Sequence, residues 1–148
     1  MHRPAHAMIL LMLALTGCPP VLAQDAPRYT VTFVAGAQRA DVRLCLAKAH
    51  ADVTFGADSG WAMRFIDAPG RDGGGNVTAG ERGWNAADWK AGECLRYHAD
   101  LRAIAQEHKP DVGWQLGSDF IAAPQLWLLR PDVQGKADAE LRIELPAS

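Results

Sequence analysis

The chain has 148 residues, 49% of them hydrophobic, and its 15 basic and 17 acidic side chains give a formal net charge of −2. This near-balance, with no basic stripe, excludes nucleic acid as an expected partner. The length suits one domain with a core of its own, and the chain contains neither an internal repeat nor a low-complexity tract.

The first 23 residues read as an export leader. Arg3 charges the segment Met1–Ala7, Met8–Leu15 is an unbroken apolar run, and Val21-Leu22-Ala23 places small residues before a cleavage site. The run is shorter than the roughly 20 residues a membrane-spanning helix needs. Export is therefore expected, with residues 24–148 forming one domain in the periplasm or outside the cell. Leu15-Thr16-Gly17-Cys18 also fits a lipobox, in which Cys18 becomes the lipidated first residue and tethers the domain. Pro19, Pro20 and the competing site at Val21-Leu22-Ala23 favour the soluble product. Membrane contact is expected only if Cys18 is lipidated.

Arg28–Val34 alternates, with Tyr29, Val31 and Phe33 on one face and Thr30 and Thr32 on the other, as in a half-buried strand. Asp41–Lys48 alternates again, with Val42, Leu44 and Leu46 toward a core and Arg43 and Cys45 opposite. Asp52–Phe55 and Ala62–Ile66 are shorter strand candidates. Asp67–Gly83 has no apolar period and holds six glycines, so it is expected to be a long flexible loop. Its glycines match neither G-x-x-x-x-G-K-[ST] nor a G-x-G-x-x-G between strand and helix, so no phosphate cradle is read there.

Glu93–Ala103 shows the longest alternation. Leu95, Tyr97, Ala99, Leu101 and Ala103 face one way; Cys94, Arg96, His98, Asp100 and Arg102 face the other. Val112–Leu116, Phe120–Ala122, Leu126–Leu129 and Ala139–Leu145 are the later strand candidates. The whole pattern predicts an all-β fold, a β-sandwich of about eight short antiparallel strands with a long Gly-rich loop. Its core is expected to include Val31, Phe33, Val42, Leu44, Leu46, Leu95, Tyr97, Leu101, Trp127, Leu141 and Ile143.

After leader removal two cysteines remain, Cys45 and Cys94. An even pair in an oxidising compartment reads as a disulfide. Both lie on the non-core faces of their strands, where adjacent strands or a sheet edge would bring them together. Neither has a Cys or His neighbour at ligand spacing.

No catalytic set can be assembled. His50, His98 and His108 are too scattered for metal ligation, and Gln106-Glu107-His108 lacks both histidines of a zinc-binding helix. There is no G-x-S-x-G elbow, and Asp67 and Asp72 sit in the Gly-rich segment, where nothing would hold them in register. No catalytic residue, metal or cofactor is expected. Trp84 and Trp89, beside the Gly-rich segment, are the nominated ligand contacts, able to stack on sugar rings if exposed. The competing reading makes them a lid over the core.

Ala122-Ala123-Pro124-Gln125-Leu126-Trp127-Leu128-Leu129-Arg130-Pro131, followed by Ala139-Glu140-Leu141-Arg142-Ile143-Glu144-Leu145-Pro146, resembles the end of the N-terminal β-sandwich domain of exported gluzincin metallopeptidases of the glycyl aminopeptidase kind. There a Trp-bearing strand leads into an Arg-Pro turn and a later strand ends at a Leu-Pro step. Cys94-Leu95-Arg96-Tyr97 suits the same domain, and the resemblance spans about residues 28–146. It implies a non-catalytic first module, with the zinc helix in a downstream catalytic domain as its partner. The alternative is a free-standing periplasmic binding module for a glycan, a peptide or a protein.

Overall fold

The computed structural model describes residues 26–145, apart from 35, 37, 58–59, 68 and 134–137. The leader, Cys18 and its lipobox lie outside the described residues.

The first alternating segment forms β1 (Arg28–Phe33), and the second forms β2 (Arg39–Cys45). There follow β3 (His50–Gly56), β4 (Gly70–Arg71), β5 (Thr78–Ala79), β6 (Gly83–Trp89) and β7 (Cys94–Asp100). A short helix α1 (Leu101–Ala105) leads to the hairpin of β8 (Gly113–Leu116) and β9 (Asp119–Ala122), then to β10 (Arg130–Pro131) and β11 (Glu140–Glu144). Five strands pair in the order β11-β1-β2-β7-β4 and four in the order β10-β3-β6-β5. All these pairings are antiparallel except β1–β11, which is parallel. The fold is all-β and sandwich-like, as the alternation predicts.

The core takes the inward side chains of both sheets, alternating along β1, β2 and β7 but broken on β6 at Asp88, whose φ is 51°. Val31, Val42, Leu44, Leu95 and Tyr97 come from the five-stranded sheet, and Val53, Phe55, Trp84 and Trp89 from the four-stranded one. Each such large side chain contributes about 1.5–3 kcal/mol by leaving water. The Phe55 and Trp89 rings lie 4.9 Å apart at the centre.

Cys45 and Cys94 are direct register partners on β2 and β7 and form a disulfide, with their Cα atoms 4.0 Å apart. The adjacent-strand placement is as expected. Both cysteines lie one position from the core pair Leu44 and Leu95, on the opposite face, and are buried there.

Several elements differ from expectation. Ala62–Ile66 is not a strand: Ala62–Phe65 forms a 3-10 helix that buries Ala62 and Phe65, three residues apart and therefore on one face. Leu126–Leu129 is likewise not a strand. Pro124–Leu126 winds into a 3-10 helix, with Pro at its start where no N–H is needed. The alternation from Glu93 does not run to Ala103. Asp100 caps α1, its carboxylate accepting from the Ala103 N–H at 2.8 Å, and Leu101, Ile104 and Ala105 become the buried face. Leu141 and Ile143 point to the sandwich interior but are not core. They are 48% and 54% exposed, because β11 is the edge strand of its sheet and an open cleft, lined also by Arg130 and Pro131 of β10, lies beside Leu141. Phe33, one strand further in, is only partly buried.

Candidate functional site

The Gly-rich segment is not a free excursion. Gly70 and Arg71 pair with Arg96 and Leu95 of β7, and Thr78 and Ala79 pair with Asn85 and Trp84 of β6. Arg71 anchors it. Its guanidinium makes a two-pronged ion pair with Glu93, Nε to Oε1 at 2.6 Å and Nη2 to Oε2 at 2.7 Å, and also donates to the carbonyls of Ala87 and Asp88. Glu93 accepts a further hydrogen bond from the Lys90 N–H at 2.9 Å. The Arg71 hydrogen bonds are the main cause that holds the Glu93 carboxyl below its ordinary range, against the opposing effect of burial. Gly73 and Gly75 pass so close to this pair that a Cβ on either would meet Glu93 or Arg71.

This arrangement settles where Trp84 and Trp89 lie. The Trp89 ring packs against Phe55 on one side, and the Arg71 guanidinium sits 4.8 Å from its centre. Trp89 is 1% exposed and Trp84 6% exposed. The nomination of these two rings as ligand contacts is therefore corrected: both face inward from β6, and neither offers a face to a sugar. Trp114 on β8 is the exposed tryptophan among the large hydrophobic side chains.

The scattered polar candidates remain scattered. Asp72 pairs with Arg96 and Arg43, while Asp67 shares neither partner. His98 meets Asp41 across β7 and β2 at 2.7 Å, a rung of a cross-strand charge ladder. His108 bonds the Gln106 carbonyl and stands edge-on to Trp114. Among the described residues no three His, Cys, Asp or Glu side chains converge as metal ligands would.

A cleft of about 480 Å³ lies at the open edge of the sandwich, lined by Pro27, Tyr29, Pro124, Leu128, Arg130 and Leu141 among others. Two tyrosines fix its floor. Tyr29 Oη donates to the Leu129 carbonyl at 2.8 Å, and the Leu129 N–H donates to Tyr97 Oη at 3.1 Å. Burial pushes the Tyr29 phenol up to about 12 and Tyr97 higher still, so both stay neutral donors and acceptors. A second apolar hollow of about 360 Å³ lies at the other end of β11, between Phe33, Phe120, Trp127 and Leu145. Apolar walls with a guanidinium at the rim suit contact with a peptide or protein surface. Sequence reasoning missed this site, because it is assembled from both ends of the described chain. The Pro124 and Arg130-Pro131 punctuation was the available signal.

No protein-family model matches the chain, and no curated protein matches it. Among solved structures, that of the aminopeptidase N family protein from Idiomarina loihiensis superposes with a TM-score of 0.60 at 12% identity. The match covers 81% of this chain and 22% of that one, so this chain spans about a fifth of the solved chain's length. At that identity the likeness is one of fold.

Proposed function

We propose that this domain is a non-catalytic N-terminal module of an exported metallopeptidase-like protein, serving to support and guide a catalytic domain rather than to perform chemistry. The observation that carries the reading is the fold likeness over 81% of this chain to part of an aminopeptidase N family protein. The Cys45–Cys94 disulfide supports an oxidising location. The apolar clefts along β11 support a role in contact with another protein surface. The working partner is a catalytic domain carrying the zinc helix.

The test is the coding sequence beyond Ser148, together with an assay. A frame that continues into a His-Glu-x-x-His helix is the expected result, and a stop codon there overturns the module reading. The purified 148-residue chain should leave aminoacyl p-nitroanilides intact. Hydrolysis that a chelator abolishes overturns the non-catalytic assignment.

A further inference from the structure

We propose that the free edge of β11 is a self-association surface, on which a second copy of this chain pairs antiparallel about Ile143. The inference goes beyond the module reading and does not rest on it.

The edge is open. β11 ends its sheet, and among the described residues no strand pairs with its outer side. The Glu140 N–H donates to the Pro27 carbonyl at 3.0 Å, so Glu140 turns its backbone groups toward β1. Strand alternation turns those of Arg142 and Glu144 the same way and those of Leu141, Ile143 and Leu145 outward. The same three residues carry exposed apolar side chains. The parallel register sets Leu141 beside Tyr29 and Ile143 beside Val31, on the sandwich-facing side, where Leu141 and Ile143 remain about half exposed.

The charges choose the occupant and the register. Antiparallel pairing about Ile143 places Ile143 against its own copy, Leu141 against the partner's Leu145, and Arg142 against the partner's Glu144, twice over by symmetry. The outward N–H and C=O groups of Ile143 meet each other, and those of Leu141 meet those of the partner's Leu145. Pairing about Arg142 would oppose arginine with arginine and Glu140 with Glu144. Pairing about Leu141 would match Arg142 with Glu140 but oppose Glu144 with Asp138, so its charges cancel. In the Ile143-centred register the two apolar hollows also find occupants: the partner's Leu145 comes beside the hollow at Leu141, and the partner's Leu141 beside the hollow at Leu145. A charged edge normally blocks such pairing; here Arg142 and Glu144, which pair with each other at 3.3 Å within the strand, would exchange that contact for the same one across the seam.

Sedimentation velocity on the purified protein, over about two decades of concentration up to the high micromolar range, should show a monomer passing to a dimer. Arg142→Glu and Glu144→Arg should each weaken the dimer about tenfold, since each turns two opposed pairs into like charges. The double variant Arg142→Glu/Glu144→Arg should restore it. Arg142 is 74% exposed, so melting temperatures within a few degrees of the parent serve as the control for folding. A monomer at every concentration overturns the proposal. So does a dimer indifferent to both single variants, or one that the double variant fails to regain.

Discussion

Arg71 and Glu93 form an ion pair whose side chains are 5% and 6% exposed, although Arg71 ends β4 and Glu93 sits in the turn before β7, 22 positions on. This pair closes the Gly-rich segment over Trp89. Removing one partner leaves the other charge buried without its counter-charge, so Arg71→Leu or Glu93→Gln should cost about 3 kcal/mol at neutral pH. Urea unfolding with a constant slope measures the loss. A loss under about 0.5 kcal/mol would mean that water, and not Glu93, solvates the guanidinium.

The same pair fixes a pH response. The folded carboxyl of Glu93 is lowered from its ordinary value of 4.5, so its stabilisation is fully present above that value and is lost as pH falls through the lower folded one. Unfolding free energy of the parent should decline in acid below that range. In Glu93→Gln the decline should be shallower. Parallel acid profiles for the two proteins would show that other carboxylates carry the dependence.

Reduction of the Cys45–Cys94 bond frees a loop with a sequence separation of 49. In the chain-entropy treatment that closure contributes about 4 kcal/mol. Chemical denaturation with and without a reductant should differ by that order, and the Cys45→Ala/Cys94→Ala protein should follow the reduced curve. Equal curves would show the crosslink to be energetically idle.

Gly83 opens β6 directly against β3, and a Cβ there would collide with the Phe55 carbonyl and the Gly56 Cα. Backbone atoms cannot swing aside as a flexible side chain can. Gly83→Ala should therefore destabilise by about 1–3 kcal/mol, visible as a lowered thermal midpoint. Gly70→Ala, where the added carbon meets nothing within 4 Å, is the matched control.

Iodide should separate the tryptophans. Trp114 is 42% exposed and Trp61 is partly buried, whereas Trp84, Trp89 and Trp127 are each at 8% or less. Trp114→Phe should remove much of the quenchable emission, and Trp89→Phe should leave that component unchanged. The reverse pattern would restore Trp89 as a surface ring.

The strands β1, β2 and β7 were legible because their alternation is both regular and central: the faces carrying Val31, Val42, Leu44, Leu95 and Tyr97 are also the buried ones. At Leu141 and Ile143 alternation reported the direction of the side chains correctly and their burial wrongly. Period tells which way a side chain points, but not whether anything lies opposite. Leu101 and Ala103 continued an apparent period of two only because Asp100 restarts the backbone as a helix, and the Asp at that step was the missed signal. The burial of Trp84 and Trp89 followed from partners that no local pattern reveals, Arg71 among them. The cleft at β11 was hidden for the same reason, since its walls come from residues about a hundred positions apart, such as Tyr29 and Arg130.

The parallel pairing of β1 with β11 has a consequence for the order of events during synthesis. Thr32 and Glu144, joined by a side-chain hydrogen bond, are 112 residues apart. β1 can zip onto β2 almost at once, but its other side has no strand until nearly the whole described chain has emerged. For that interval the chain carries an unprotected template at Tyr29 and Val31. Contacts of such long separation are the slow ones, because the closure entropy must be met before the pairing returns anything. The five-stranded sheet therefore stays unfinished until β11 has emerged and reached β1.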